Sequence, residues 1–177
     1  RAFLSGPPPN DDLAAATLMT GGAVIGTNIN ATKQPGEPAH AGAVGGWSVW
    51  WKFTPAVAGR LAAATHGSAF DTVLAVYRTQ SATPSFADLQ LVGANDNADD
   101  SRNTSRVAFT AELGWTYYFA IDSASDATGA VSLNVATPPP NDDFADRTPI
   151  LGSSFPLVRT GHNTQASREP GEPIHAG

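Results

Sequence analysis

The sequence predicts an all-β chain: an antiparallel, jelly-roll-like β-sandwich of about eight strands with one short helix ahead of them. Three observations lead there. Gly and Pro together number 31 in 177 residues, which favours short elements joined by turns over long helices. Apolar residues make up 41% and charged residues 15%, enough to bury a core. Short runs then alternate with period two between turn signals.

Taken in order, Pro7 to Pro9 form a stiff polyproline lead-in, and Asn10, Asp11 and Asp12 provide N-cap and first-turn acids for a helical turn over 12–19. Strands are predicted at 23–30, 46–54, 59–66, 72–79, 88–94, 104–111, 115–122 and 128–136. In TVLAVYRT (72–79), Val73, Ala75 and Tyr77 share one face and Leu74 and Val76 the other; Val107, Phe109, Val131, Leu133 and Val135 are expected inward. Strands of this length and spacing belong to sandwiches.

The chain also repeats itself. PPPNDDLA (7–14) returns as PPPNDDFA (138–145), and GTNINATKQPGEPAHAG (26–42) as GHNTQASREPGEPIHAG (161–177), with ten of those 17 positions identical. The offset is 131 residues in the first block and 135 in the second, so four residues are inserted between them. A surface turn absorbs such a difference at small entropic cost. Tandem duplication of a domain-sized unit is the inference. Residues 1–6 read as the end of a preceding copy, 7–137 as one complete repeat (leader 7–42, core 43–137), and 138–177 as the leader of the next, here called the tail. About 40 residues do not normally sustain a core alone. The tail is therefore expected to dock on a sandwich through Phe144, Ile150 and Leu157, with Glu172 and His175 pinning its loop.

Bulk properties narrow the function. A formal charge of −6 argues against nucleic acid as a partner. No run of 18 apolar residues marks a membrane span, so membrane insertion is not expected. The absence of cysteine removes disulfides, thiolate zinc sites and Cys nucleophiles. No G-x-S-x-G, no His-Glu-x-x-His and no phosphate-binding glycine loop before a helix is present, and no catalytic role is expected.

Among candidate sites, the loop holding Asn95, Asp96, Asn97, Asp99 and Asp100 is the richest in oxygen donors. Calcium takes six to eight oxygens, and alternating Asp and Asn supply several; a solvated hairpin turn explains the same residues through backbone preference. Glu37 and His40 in PGEPAHAG lack a third metal ligand at useful spacing and read as a structural hydrogen bond. In SVWWKFTP, Trp51 shares a face with Val49 and Phe53, which leaves Trp50 outward. Trp50 is then covered by the leader, stacked on a sugar, or set in a protein interface.

The succession GSAFDTVLAVY (67–77), GANDNADD (93–100), SRVAFTA (105–111) and GWTYYFAID (114–122) resembles the bacterial pre-peptidase C-terminal type of β-sandwich over about 45–137. What the resemblance implies is a jelly-roll-like accessory module of secreted or cell-surface proteins, found beside proteases or in long adhesive proteins, at times binding calcium, and without chemistry of its own. In that pattern Asp71 would complete the acidic loop. Two functions follow as expectations: a structural or adhesive repeat linked head to tail to neighbouring copies, or an accessory domain that holds a secreted hydrolase on a cell-surface or polysaccharide ligand.

Overall fold

The computed structural model describes residues 6–43, 45–98, 103–152, 156–169 and 171–173. Its strands are β1 (Thr17–Leu18), β2 (Ala23–Thr27), β3 (Val49–Phe53), β4 (Gly59–Ala64), β5 (Thr72–Thr79), β6 (Gln90–Asn95), β7 (Arg106–Ala111), β8 (Thr116–Ser123) and β9 (Ala130–Ala136). They form a front sheet ordered β1-β3-β8-β5-β6 and a back sheet ordered β2-β9-β4-β7. Every pairing is antiparallel except β1 with β3. The predicted β-sandwich is the observed fold.

Alternation explains which sheet face each residue joins. Leu74 and Val76 of β5, Trp51 of β3, Phe119 and Ile121 of β8, Val107 and Phe109 of β7, and Val131, Leu133 and Val135 of β9 fill the space between the sheets. The neighbours one position away, Trp50, Ala75, Tyr77, Tyr118 and Ala120, form a second apolar cluster on the outer side of the front sheet. Burying that cluster requires a third layer, and the leader supplies it: Leu13 and Ala16 close over the cluster, with 4% and 5% of their surface exposed.

The helical turn expected over 12–19 shrinks to one 3₁₀ turn, Leu13–Ala15, followed at once by β1. Asp12 makes no capping bond. The Asp11 carboxylate instead accepts from the Thr32 N–H and hydroxyl at 2.6 and 2.8 Å, and the Gln34 side-chain oxygen accepts from the Leu13 N–H at 2.8 Å. Gln34 thus accepts from an N–H that a helix start leaves unpaired, while Thr32 takes up the carboxylate that a cap would have used. Pairing with the free edge of β3 then holds residues 17–18 extended, and the Met19 N–H donates to the Lys52 carbonyl at 2.8 Å.

Asp122, at the end of the strand predicted over 115–122, lies inside β8 and is fully buried. Its Oδ1 accepts from the N–H groups of Gly46, Trp47 and Ser123 at 3.1, 3.0 and 2.8 Å, which fixes the approach to β3. A Cβ on Gly45 would collide with the same carboxylate. Asp122→Ala leaves three N–H donors without their acceptor and is expected to lower unfolding stability by about 2–4 kcal/mol, read from urea melts.

Candidate functional site

The leader is fastened to the front sheet by a buried polar group. His40 has no exposed surface; its Nδ1 lies 2.9 Å from the Tyr77 hydroxyl and its Nε2 2.9 Å from Glu37 Oε1. Glu37 Oε2 accepts from the Gln34 N–H at 2.9 Å. Burial alone would raise the Glu37 carboxyl, but bonds with His40, Ser48 and Gln34 and the charge of His40 hold it below its ordinary value. Burial first, and the Glu37 charge second, push Tyr77 up to about 12. The expected structural bond at His40 is present, made across a turn. Aromatic edges complete the clasp, with the His40 ring 5.4 Å from Trp50 and 5.8 Å from Tyr77. Two bonds between Asn10 and Trp50 close its far side: Trp50 N–H to the Asn10 carbonyl at 2.9 Å, and Asn10 Nδ2 to the Trp50 carbonyl at 3.0 Å.

Trp50 consequently has no exposed surface. The reading of Trp50 as a stacking platform for a sugar is corrected: it points outward from the sheet, as alternation requires, but Leu13, Ala16, His40 and Phe86 cover it.

Among the described residues the tail repeats the bonds that shape the leader internally. Asp142 accepts from the Ser167 N–H and hydroxyl at 2.7 and 3.0 Å, as Asp11 does from Thr32. Glu172 accepts from the Glu169 N–H at 2.9 Å, as Glu37 does from Gln34. Glu169 accepts from the Phe144 N–H at 2.9 Å, as Gln34 does from Leu13. Gln165 and Gly171 take positive φ of 60° and 87°, matching Asn30 at 62° and Gly36 at 82°. The duplicated sequence therefore encodes one bracket twice.

The two brackets differ in what they touch. The tail lies on the outer side of the back sheet and is held by polar groups. Arg60 of β4 forms a two-bond pair with Asp143 at 2.9 and 3.2 Å. Arg106 of β7 donates to the Gln165 carbonyl at 2.6 Å, and Gln165 donates to the Asn134 carbonyl of β9 at 3.3 Å. Asp142, its side chain almost wholly buried, sits 3.8 Å from Arg106 and 3.9 Å from Arg60. The expected contact between tail and sandwich exists, but its chemistry is corrected. Phe144 and Ile150 are 72% and 62% exposed, because the back sheet offers guanidinium and amide groups instead of an apolar face. Leu157 and Glu172 are half-buried within the tail, and His175 lies outside the described residues.

The acidic loop is partly assembled. Asp71 Oδ1 and Asp96 Oδ1 are both buried without a hydrogen-bond partner, and burial, then the Asp96 charge, raise the Asp71 carboxyl. Asn95 is committed elsewhere: its oxygen accepts from the Arg106 N–H at 2.9 Å and its amide donates to the Asn97 carbonyl at 3.0 Å. Asp99 and Asp100 lie outside the described residues. Among the described residues no group of three His, Cys, Asp or Glu side chains is placed to hold a metal. None of their helices is long and apolar enough to cross a membrane. Sequence reasoning missed Arg60, Arg106, Asn134 and Gln165, since lone polar residues at outward strand positions look like ordinary solvated surface.

No family model and no curated protein matches this chain. Among solved structures it is similar to the pre-peptidase C-terminal domain of a collagenase from Bacillus anthracis, determined at 1.0 Å, with a TM-score of 0.43 and 13% identity over 68% of this chain and 94% of that one.

A raised folded pKa at Tyr77 contributes stability that is complete below its unfolded value near 10 and is lost as pH rises through about 12. The lowered Glu37 carboxyl contributes stability that is present above its unfolded value of 4.5 and is lost as pH falls through its folded value. Tyr77→Phe is expected to remove the alkaline loss and to destabilise the chain by about 1 kcal/mol at neutral pH, measured by thermal melts from pH 4 to 12.

Proposed function

We propose that the chain is a non-catalytic structural or adhesive repeat of an extracellular or cell-surface protein, linked head to tail to neighbouring copies through the PPPNDD…PGEPxHAG bracket. The observation that carries this reading is the placement of the two brackets: one clasps the front sheet, the other rests on the back sheet of the same sandwich. A unit that takes one copy of the bracket on its front sheet and the next on its back sheet continues in one direction instead of closing on itself. The polar character of the second contact suits a joint between domains, which is ordinarily more polar than a core. The alternative, an accessory domain gripping polysaccharide, loses its main support with the burial of Trp50.

Calcium belongs to this proposal as a stabiliser. Two buried, unpartnered carboxylate oxygens whose negative charges oppose each other, Asp71 and Asp96, suit a hard cation better than empty space. Calcium is expected to raise the melting midpoint, by the equivalent of about 2.7 kcal/mol at a hundred times its dissociation constant. Asp71→Asn should abolish that response while leaving the calcium-free protein as stable or slightly more so. An identical midpoint with calcium and with chelator would retire the site.

The joint is tested by charge. Arg60→Glu and Arg106→Glu each set like charges against Asp142 and Asp143. Limited proteolysis within 138–173 is expected to quicken roughly 5–30-fold, the effect of 1–2 kcal/mol, with the sandwich midpoint little changed. A cleavage rate equal to that of the unaltered chain would count against a docked tail.

A further inference from the structure

We infer that the tail is a strand donor: its outward face is built to seat on the front sheet of another copy of this sandwich, adding one edge strand to each of that copy's sheets. The inference rests on the linkage reading and says what the free side of the second bracket takes.

The leader shows what such a bracket does when a sandwich is present. Leu13 and Met19 anchor it, 4% and 5% exposed; between and after them β1 extends the front sheet beside β3, and β2 extends the back sheet beside β9. In the tail the same positions are Phe144 and Ile150, both large and apolar, and both exposed at 72% and 62%. The counterparts of β1 and β2, residues 148–149 and 158–162, are assigned no strand. The bracket's internal bonds are made; its anchors and its two strand segments are unused.

A glycine gives independent support. In β2, a Cβ on Gly26 would come within 2.9 Å of the Trp51 ring, so the indole demands glycine there. Its counterpart Gly161 has nothing within 4 Å of where a Cβ would sit, and its φ is not positive. Nothing the tail touches in this chain requires a glycine at 161. A sandwich bearing a tryptophan at the Trp51 position would. Asn141 likewise repeats Asn10, which exchanges two bonds with the Trp50 backbone of the front sheet. The occupant is thus a β-sandwich with this front sheet, and the test uses a second copy of the chain.

In the intact chain the tethered leader already fills its own front sheet, and its high effective concentration excludes a tail from elsewhere. The experiment therefore disables that leader with Leu13→Asp and Gly26→Leu in the full chain, adds Lys52→Cys, and mixes it with a full chain carrying Pro149→Cys. Leu18, the counterpart of Pro149, pairs with Lys52, and the native sequence has no cysteine. The expected result is a one-to-one complex by light scattering and a disulfide between the two introduced thiols. Adding Gly161→Leu and Phe144→Asp to the donor should cut crosslinked product at least about tenfold, a loss of 1.4 kcal/mol or more. Should the leader-disabled chain be unfolded by itself, excess donor is expected to restore its buried-tryptophan fluorescence. A leader-disabled chain that stays monomeric, or stays unfolded, or crosslinks equally with the blocked donor, overturns the inference. None of these outcomes touches the proteolysis of the Arg60→Glu chain, which reports on the linkage reading alone.

Discussion

The front sheet is apolar on both of its faces, and this one constraint organises the molecule. Trp50 and Trp51 are consecutive strand residues, so they point to opposite sides, yet both are buried. The same holds along β5, where six consecutive residues from Thr72 to Tyr77 are buried. A two-layer sandwich leaves one of those faces in water; two sheets alone would expose the Trp50 side. The leader is therefore a third layer of the fold, and its short regular elements follow from that duty. It spreads over a flat apolar surface as a 3₁₀ turn, a two-residue strand and a loop.

Holding such a layer without disulfides takes directional bonds in a dry place. Glu37, His40 and Tyr77 supply them, each nearly or fully buried and each partnered. A buried polar group of this kind adds modest net stability, but it admits few alternative arrangements, because any misplacement leaves a charge or a hydroxyl unsatisfied. Apolar contact decides that the leader covers the sheet, and the polar bonds decide its register. On the opposite side of the sandwich the balance reverses, with guanidinium groups meeting carboxylates near solvent, where the attraction is weaker and screened by salt.

Much of the architecture was legible in the residues. Alternation placed eight strands close to their observed limits, divided β5 into its two faces and assigned the inward faces of β7 and β9, since side-chain direction in a strand depends only on parity. It also placed Trp50 on the outer face, though not what covers it. The helix at 12–19 failed because Asp and Asn signals are shared between helix caps and side-chain bridges. Only the distant partner Thr32 shows which use Asp11 serves. Phe144 and Ile150 were expected to be covered where the tail docks and are exposed instead, because a sequence states which side chains seek cover and not where the cover lies. The acidic loop divides in the same way: Asp71 and Asp96 approach each other, while Asn95 spends its amide on the hairpin.

The pairing of β2 with β9 carries a mechanical consequence. Ala23 faces Asn134 and Thr27 faces Ala130, so the start of β2 lies beside the end of β9. A chain pulled from both ends loads that pair at one extremity, and its hydrogen bonds part in succession, like a zipper, instead of sharing the force. Because β2 is the edge of the back sheet, its release leaves β9, β4 and β7 still paired with one another.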